Sequence, residues 1–156
     1  MNKELQKVVD RLKEHIDTVP SKFLSYTEEE LEQKPAPNKW SKKELLGHLI
    51  DSAANNHHRF IRAQFEKEPF ILSPYEQDDW NRIQKYNEVD TKFLVEFWRM
   101  YNLHIRWIIR NFPEEKLNMK CKSIDERETA ETVFLLIKDY VDHLDHHLEQ
   151  IFQLSM

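Results

Sequence analysis

The scarcity of glycine constrains this chain more than any other feature of its sequence. Only one glycine, Gly47, occurs among 156 residues, together with six prolines. Tight turns between neighbouring strands depend on residues that accept a positive φ, above all glycine, so an extensive β-sheet would lack its turns. The sequence therefore predicts an all-α protein whose long helices are joined by proline-containing connections.

Apolar residues recur every three or four positions in four long segments, which is the period of an amphipathic helix. Pro20 is predicted to end the first of these helices. Serine or threonine followed three residues later by glutamate forms a capping box, and this pattern opens a short helix and the second long one. We expect a single domain over residues 1–156. The predicted helices run from Asn2 to about Val19, Thr27 to about Gln33, Ser41 to about Glu66, Asp90 or Thr91 to about Asn111, and the N-cap Thr129 to Phe152.

Two long connections separate the predicted helices. The first, Lys67 to Asp90, contains several aromatic residues, among them Trp80, and loops of this length often act as lids over a site. An aromatic strap that plugs the bundle is the alternative, and both roles are compatible. The second connection, Phe112 to Glu128, carries Cys121 between two lysines, and without a neighbouring base we interpret its thiol as inert.

Charge, hydropathy and cysteine content exclude several classes of protein. A formal net charge of −5 provides no basic face for phosphates, which disfavours binding to nucleic acid. No apolar run is long enough to span a bilayer, and the charged segment Met1 to Asp10 does not have the pattern of a signal peptide. The single cysteine cannot form an internal disulfide. We therefore expect a cytoplasmic protein without nucleic-acid or membrane partners.

The segment DHLDHH at 142–147 carries the most informative side chains. His143 and His147 are four residues apart, so on a helix their rings lie on one face and can hold a metal ion from one side. A third ligand must come from elsewhere in the chain, and His48 is the best candidate. Three histidines leave room for water or substrate on an ion, as in catalytic sites. Imidazole ligands suit zinc, nickel, cobalt, copper or iron, and helical histidine pairs also occur on surfaces, so spacing alone leaves both interpretations open.

The helix around His48 offers further candidates. Ser52 and Asn55 share with His48 a strip that is polar but carries little charge, which indicates a cavity or an interface rather than a solvent face. Asp51 could hydrogen-bond a ligating histidine or be a surface charge. His104, on the third long helix, offers a fourth ligand, although a hydrogen-bonded core or rim histidine is the interpretation we favour.

Three segments together resemble the DinB superfamily. WS at 40–41 leading into LGHLID at 46–51 is similar to the first metal-ligand segment of that family, and YVDHLDHHLEQI at 140–151 is similar to its closing segment. Between them, YEQDDW at 75–80 followed by Tyr86 resembles the branch that includes metal-dependent hydrolases and bacillithiol transferases. The segments follow the order and spacing of the family over nearly the whole chain.

The resemblance implies a four-helix bundle with an up-down-down-up course, often assembled as a homodimer. It also implies one divalent metal ion, commonly zinc or nickel, on His48, His143 and His147. Some members of the family use the metal to activate a low-molecular-weight thiol that attacks a small electrophile, whereas others have no assigned reaction.

Two functional hypotheses follow. The first is a metal-dependent enzyme, a thiol transferase or a hydrolase, that acts on a small molecule under a lid containing Trp80. The alternative is a non-catalytic, stress-related module for binding or dimerisation. In that case Trp98, Trp107 and the exposed part of the long loop would contact a partner, and the histidines would retain only their spacing.

Overall fold

A computed structural model of the chain describes residues 1–125, 127 and 131–153. Within these residues, six α-helices and two short strands alternate with single turns of 3-10 helix at Tyr86–Glu88 and Glu114–Lys116. The elements in chain order are α1 (Lys3–Leu24), α2 (Glu28–Glu32), α3 (Lys42–Arg62), β1 (Phe70–Leu72), α4 (Gln77–Gln84), α5 (Thr91–Arg110), β2 (Cys121–Ser123) and α6 (Val133–Gln153).

The four long helices α1, α3, α5 and α6 form the predicted bundle, and their contacts define its course. The amino group of Met1 lies 3.1 Å from a carboxylate oxygen of Glu114, so α1 begins where α5 ends. Near the start of α3, Lys43 Nζ donates to the carbonyl of Asn87, just before α5, at 3.1 Å. Further along both helices, His57 contacts Tyr101. Helix α5 is therefore antiparallel to α1 and parallel to α3.

Helix α6 returns in the direction of α1. Lys42, at the start of α3, donates to the carbonyl of Ile151 near the end of α6, so these two helices are antiparallel. On the other side, Arg11 Nη2 donates to Asp142 at 2.7 Å, and His15, one turn later in α1, contacts Asp145, one turn later in α6. The up-down-down-up course is thus confirmed, and it places α3 beside α6.

The predicted end of the first helix at Pro20 is wrong. Helix α1 continues through this proline to Leu24. Val19 and Phe23 are buried on either side of it. A proline inside a helix costs about 3 kcal/mol, and burying a large apolar side chain such as Phe23 recovers about 1.5–3 kcal/mol. Packing therefore holds the final turn in place.

Other helix ends differ from the prediction by a few residues. The last turn of α3 loosens after Arg62, where Gln64 and Phe65 donate to carbonyls only three positions back. Helix α6 begins at Val133, because the hydroxyl of Thr132 accepts a hydrogen bond from the backbone N–H of Leu135 at 3.2 Å. The predicted cap Thr129 lies outside the described residues.

The connection Lys67 to Asp90 is more regular than the predicted loop. It contains β1, α4 and a 3-10 turn, and β1 pairs in parallel with β2 from the second connection. Phe70 is aligned with Cys121 and Leu72 with Ser123. Parallel strands need a long crossover rather than a tight turn, so this minor sheet forms without glycine.

Gly47 allows a close approach of two elements. A Cβ atom at this position would lie 2.1 Å from Cδ2 of Tyr86. The ring of Tyr86 therefore packs directly on the backbone of α3, one residue before His48.

The aromatic residues of α5 divide between two faces. Trp98 is fully buried, so it cannot be the interface residue that the alternative hypothesis requires. Phe93 and Phe97 are exposed together with Trp107, on another face of the same helix. None of the described helices has the length and hydropathy needed to cross a membrane.

Candidate metal centre

Three histidines from two helices converge in the bundle. His48 of α3 and His143 and His147 of α6 each contribute one ring nitrogen, and these nitrogens lie within 4.8 Å of one another. The Nε2 atoms of His48 and His143 are 3.0 Å apart. Two nitrogens bound to one zinc ion at about 2.0–2.1 Å lie roughly 3 Å apart, so this separation suits two ligands of one ion.

The start of α3 fixes the position of His48. The hydroxyl of Ser41 accepts from the N–H of Glu44 at 3.1 Å, and the carboxylate of Glu44 accepts from the N–H of Ser41 at 2.8 Å. This complete capping box sets the first turn of the helix. The contact of the His48 ring with His143 shows that this side chain faces α6. Trp40 packs on the other side of the His48 ring, with 4.8 Å between centroids.

Charged residues on the opposite side of α6 hold the helix against α1. Asp142 accepts from Arg11 and Lys138, and Asp145 is bound by Arg11 and His15. These contacts turn the two aspartates of the DHLDHH segment away from the site, while His143 and His147 lie on the inner flank. His146 is exposed.

The second ring nitrogens of the pair on α6 have partners of their own. Nδ1 of His147 lies 2.7 Å from Oε1 of Gln150, and Nδ1 of His143 lies 3.5 Å from Oγ of Ser52. Such partners orient ligating histidines and leave Nε2 free for the ion. Within the described part of the chain, Nδ1 of His48 is buried without a hydrogen-bond partner. The donor set of three Nε2 atoms therefore fits a divalent transition metal.

Burial also keeps the three rings in the form that binds metal. Burial is the main cause that lowers the pKa of His48 to about 3, and the neighbouring His143 and His147 lower it further. Burial and the adjacent His147 and His146 lower the pKa of His143 to about 4. The pKa of His147 is lowered as well, again chiefly by burial. All three imidazoles are consequently neutral at pH 7, each with a lone pair available.

Asp51 supports α3 one turn after His48. It is 2% exposed, so the alternative of a surface charge is excluded. Its Oδ1 accepts from the hydroxyl of Tyr86 at 2.5 Å and from the amide of Gln84 at 2.8 Å. Burial raises the pKa of Asp51, and the two hydrogen bonds oppose that shift. Asp51 thus ties α4 and the following turn to the helix that carries His48.

Two cavities border the histidines. The first cavity, of about 280 Å³, reaches His143, and its lining residues on α3 are Ser52, Asn56 and Arg59. A second cavity of about 480 Å³ reaches His147, with Trp40 in its wall. The first turn of α4 contributes Gln77 to one cavity and Asp78 to the other.

The contacts recorded for the remaining candidate residues are with groups other than the three rings. Asn55 is half-buried and donates to the carbonyl of Asp51 at 2.8 Å. Trp80 is on α4 and packs edge-on against Tyr75, which lines the first cavity. His104 is exposed on α5, and its ring packs against His57 with 5.0 Å between centroids.

Sequence reasoning did not assign roles to Gln150 and Tyr86. Gln150 is three residues after His147 on the same helix, so helical spacing could have identified it as a partner of that ring. Tyr86 is distant from Asp51 in sequence, and only the return of the chain after α4 brings the two side chains together. No local pattern could have revealed that contact.

The thiol of Cys121 is expected to react only after unfolding. Burial raises its pKa to about 11, and the nearby Glu68 adds to the shift. The thiolate, which is the reactive form, is then about one thousandth of the total at pH 8. Titration with Ellman's reagent at pH 8 should detect almost no thiol in the native protein and one per chain in guanidinium. Immediate stoichiometric labelling of the native protein would contradict this assignment.

The profile of the DinB superfamily matches residues 3–151. The chain belongs to the DinB superfamily. The chain is also similar to a protein of Bacillus mycoides, provisionally named a metal-dependent hydrolase, with 26% identity over 94% of this chain and 84% of that protein's length. YfiT of Bacillus subtilis, with the same provisional name, is 25% identical over 97% of this chain and 80% of its own.

The structure of YfiT, provisionally described as a metal-dependent hydrolase with an unusual four-helix-bundle topology, has the same DinB fold. The two structures superpose with a TM-score of 0.87 over 99% of this chain and 88% of YfiT. The sequence identity in that alignment is 21%, so the similarity concerns the fold. The names of these relatives and the cluster of three histidines both support a divalent metal site in this chain.

Proposed function

We propose that this chain is a metal-dependent enzyme that acts on a small molecule. One divalent ion, zinc or nickel, is held by His48, His143 and His147 at the contact between α3 and α6. The convergence of these three neutral rings, with two Nε2 atoms 3.0 Å apart, is the observation that carries the proposal. His48 comes from a helix that is distant in sequence from the other two, so helical spacing alone does not account for the cluster.

The role of each side chain follows from its contacts. A divalent ion bound by imidazoles supplies a deprotonated water or thiol as a nucleophile at neutral pH. Ser52 and Gln150 orient the rings of His143 and His147 through their second nitrogens. Asp51 and Tyr86 hold the segment of α3 that carries His48.

A transferase that joins a low-molecular-weight thiol to a small electrophile fits the two cavities better than a single-substrate reaction. One cavity reaches His143 and the other His147, so two small molecules can approach the centre from different sides. Cys121 is buried at the parallel strands, and its high pKa makes it a poor nucleophile. The thiol must therefore come from solution, and such thiols are kept reduced in the cytoplasm. A hydrolase, in which water is the second reactant, remains the other form of the proposal.

One observation favours a second candidate function. Helix α5 exposes several large apolar residues, including Phe93 and Trp107, as a binding or dimerisation module would. In that case the three histidines would have no catalytic role. An assay of turnover with and without metal separates the two functions.

The test uses tag-free protein loaded with zinc or nickel. Conjugation of monochlorobimane to cysteine, coenzyme A and bacillithiol is followed by fluorescence, and hydrolysis is followed with nitrophenyl esters. We expect turnover with at least one reactant, its loss after chelation and its return when metal is restored. The His48→Ala variant should remain inactive after metal addition. Rates that are identical with and without metal in every assay would refute the enzymatic function and favour the binding module.

A further inference from the structure

A second pair of imidazoles lies between α3 and α5, outside the centre described above. His57 on α3 and His104 on α5 pack together with 5.0 Å between ring centroids and 79° between ring planes. In the centre itself, the three pairs of rings have centroids 4.9, 4.7 and 4.5 Å apart and interplanar angles of 75°, 83° and 82°. The rings of His57 and His104 are therefore arranged much like rings that can share one ion.

This pair is separate from the centre because His57 lies on the opposite side of α3 from His48. The two residues are nine positions apart, which is about 13 Å along a helix and about two and a half turns around it. His48 contacts His143 on α6. His57 instead contacts Tyr101 and His104 on α5. An ion held by His48 therefore cannot also be held by His57.

Tyr101 orients the ring of His57. Its hydroxyl oxygen lies 3.2 Å from Nδ1 of His57, and burial raises the pKa of Tyr101, so the hydroxyl stays protonated at neutral pH. A hydroxyl can donate to a bare ring nitrogen or accept from a protonated one, so it can hold Nδ1 in either tautomer and leave Nε2 for an ion. Tyr101 and His104 are three residues apart, so one turn of α5 supplies both this partner and the second ring.

Among the described residues, no carboxylate forms an ion pair with His57 or His104, whereas His15 is bound by Asp145. Burial lowers the pKa of His57, and the neighbouring His104 and His58 lower it further. The ring of His57 is therefore neutral at pH 7. His104 is exposed, so its side chain can turn about its own bonds to bring a nitrogen to the same ion.

We propose that His57 and His104 bind a second divalent transition-metal ion that joins α3 to α5, with water at its remaining positions. Imidazole nitrogens suit zinc, nickel, cobalt and copper, and zinc is the ion used in the test below. Two protein ligands hold an ion less tightly than three, so the second ion should bind at least about 100-fold more weakly than the first and leave during dialysis. The inference does not depend on the proposed enzymatic function, because it uses no residue of that centre.

Zinc titration of the tag-free protein tests the stoichiometry. Calorimetry should detect one tightly bound ion and one weaker ion per chain. His57→Ala and His104→Ala should each lower the affinity for the weaker ion at least about tenfold and leave the tight ion unchanged. His58→Ala is the matched control, since it removes an exposed imidazole next to His57 in the sequence, and it should retain both ions.

The double variant tests whether one ion uses both rings. If it does, His57→Ala with His104→Ala should lose little more affinity than either single substitution, because loss of one ring already removes the bridge between the helices. Rings that bound zinc independently would give two weak ions, and each single variant would keep one of them with unchanged affinity. Tyr101→Phe should weaken only the second ion, by about tenfold, because it removes the hydroxyl that orients His57.

Chemical labelling locates the ion. Diethyl pyrocarbonate modifies accessible neutral imidazoles, and a nitrogen bound to zinc is protected. Peptide maps of protein with one equivalent of zinc and with excess zinc are compared, so the only change is in occupancy of the weaker site. Excess zinc should suppress labelling of His57 and His104 and leave the exposed His58 and His146 unchanged.

The possible results separate the two sites. A weaker ion that His57→Ala and His104→Ala each remove and His58→Ala preserves supports the proposal, whether or not the protein turns over a substrate. A protein that binds only one zinc ion in excess metal, or a weaker ion that persists in either single variant, overturns it. Equal loss in His58→Ala would place the weaker ion elsewhere on the surface of α3 and would also overturn the proposal.

Discussion

Replacing His143 by alanine is expected to reduce the affinity for zinc or nickel at least about 100-fold. Loss of a group that only orients a ligand costs about 10–100-fold, and His143 is itself one of the three converging rings. Metal at 100 times its dissociation constant stabilises a folded protein by about 2.7 kcal/mol. For a domain of this size, that corresponds to a rise in Tm of about 5–10 °C. Zinc should therefore raise the Tm of the parent by this amount and leave His143→Ala unchanged.

His146→Ala is the matched control for this experiment. This substitution also removes an imidazole ring, but one that lies three residues further along α6 and is exposed to solvent. Metal analysis of dialysed, tag-free protein should give about one ion per chain for the parent and this control. Equal metal content in His143→Ala would show that the three rings are not the binding site.

The second large effect is a loss of stability in Gly47→Ala, although helix propensity alone predicts that this substitution stabilises the protein. Alanine in a helix interior is normally favoured over glycine by about 0.5–1 kcal/mol. Here the new methyl group would lie 2.1 Å from the ring of Tyr86, which is buried and anchored to Asp51 through its hydroxyl. Overpacking of this kind costs about 1–3 kcal/mol. Urea denaturation should show a loss of free energy of unfolding in that range.

A double substitution identifies the cause. Tyr86→Ala alone should destabilise the protein, because removal of a buried aromatic ring costs about 3–5 kcal/mol. In that background the space beside residue 47 is free, so Gly47→Ala should become neutral or stabilising. His58→Ala, an exposed change on the same helix, should alter stability by less than about 0.5 kcal/mol. Equal destabilisation by Gly47→Ala with and without Tyr86 would contradict a steric cause.

The helices were predictable wherever the deciding interactions are local. The capping box at Ser41 and Glu44 forms as the sequence indicates, because both hydrogen bonds join residues three positions apart. The prediction failed at Pro20, where burial of Phe23 by other helices outweighs the local effect of proline. It also failed to recognise α4 and the pairing of β1 with β2, because β1 needs a partner about fifty residues away.

The amphipathic pattern of α5 predicted that one face is buried, but it did not show which apolar residues belong to that face. Phe93 and Phe97 have the hydropathy of core residues, yet they lie on the side that neither α1 nor α3 covers. Hydrophobicity alone cannot distinguish a side chain buried within its own chain from an exposed one that is available to bind a partner. Only the packing of the bundle shows that α5 has a second apolar face.

For this protein, the sequence by itself determined the helical class and the alignment of His143 with His147, because glycine content and helical spacing act within a few residues. The tertiary structure decided how close His48 comes to them, which ring nitrogens have other partners, and that Asp51 is buried beneath Tyr86. These properties depend on contacts between helices that are far apart in the chain. Burial also sets the neutral charge of the three rings, and a sequence contains no direct measure of burial.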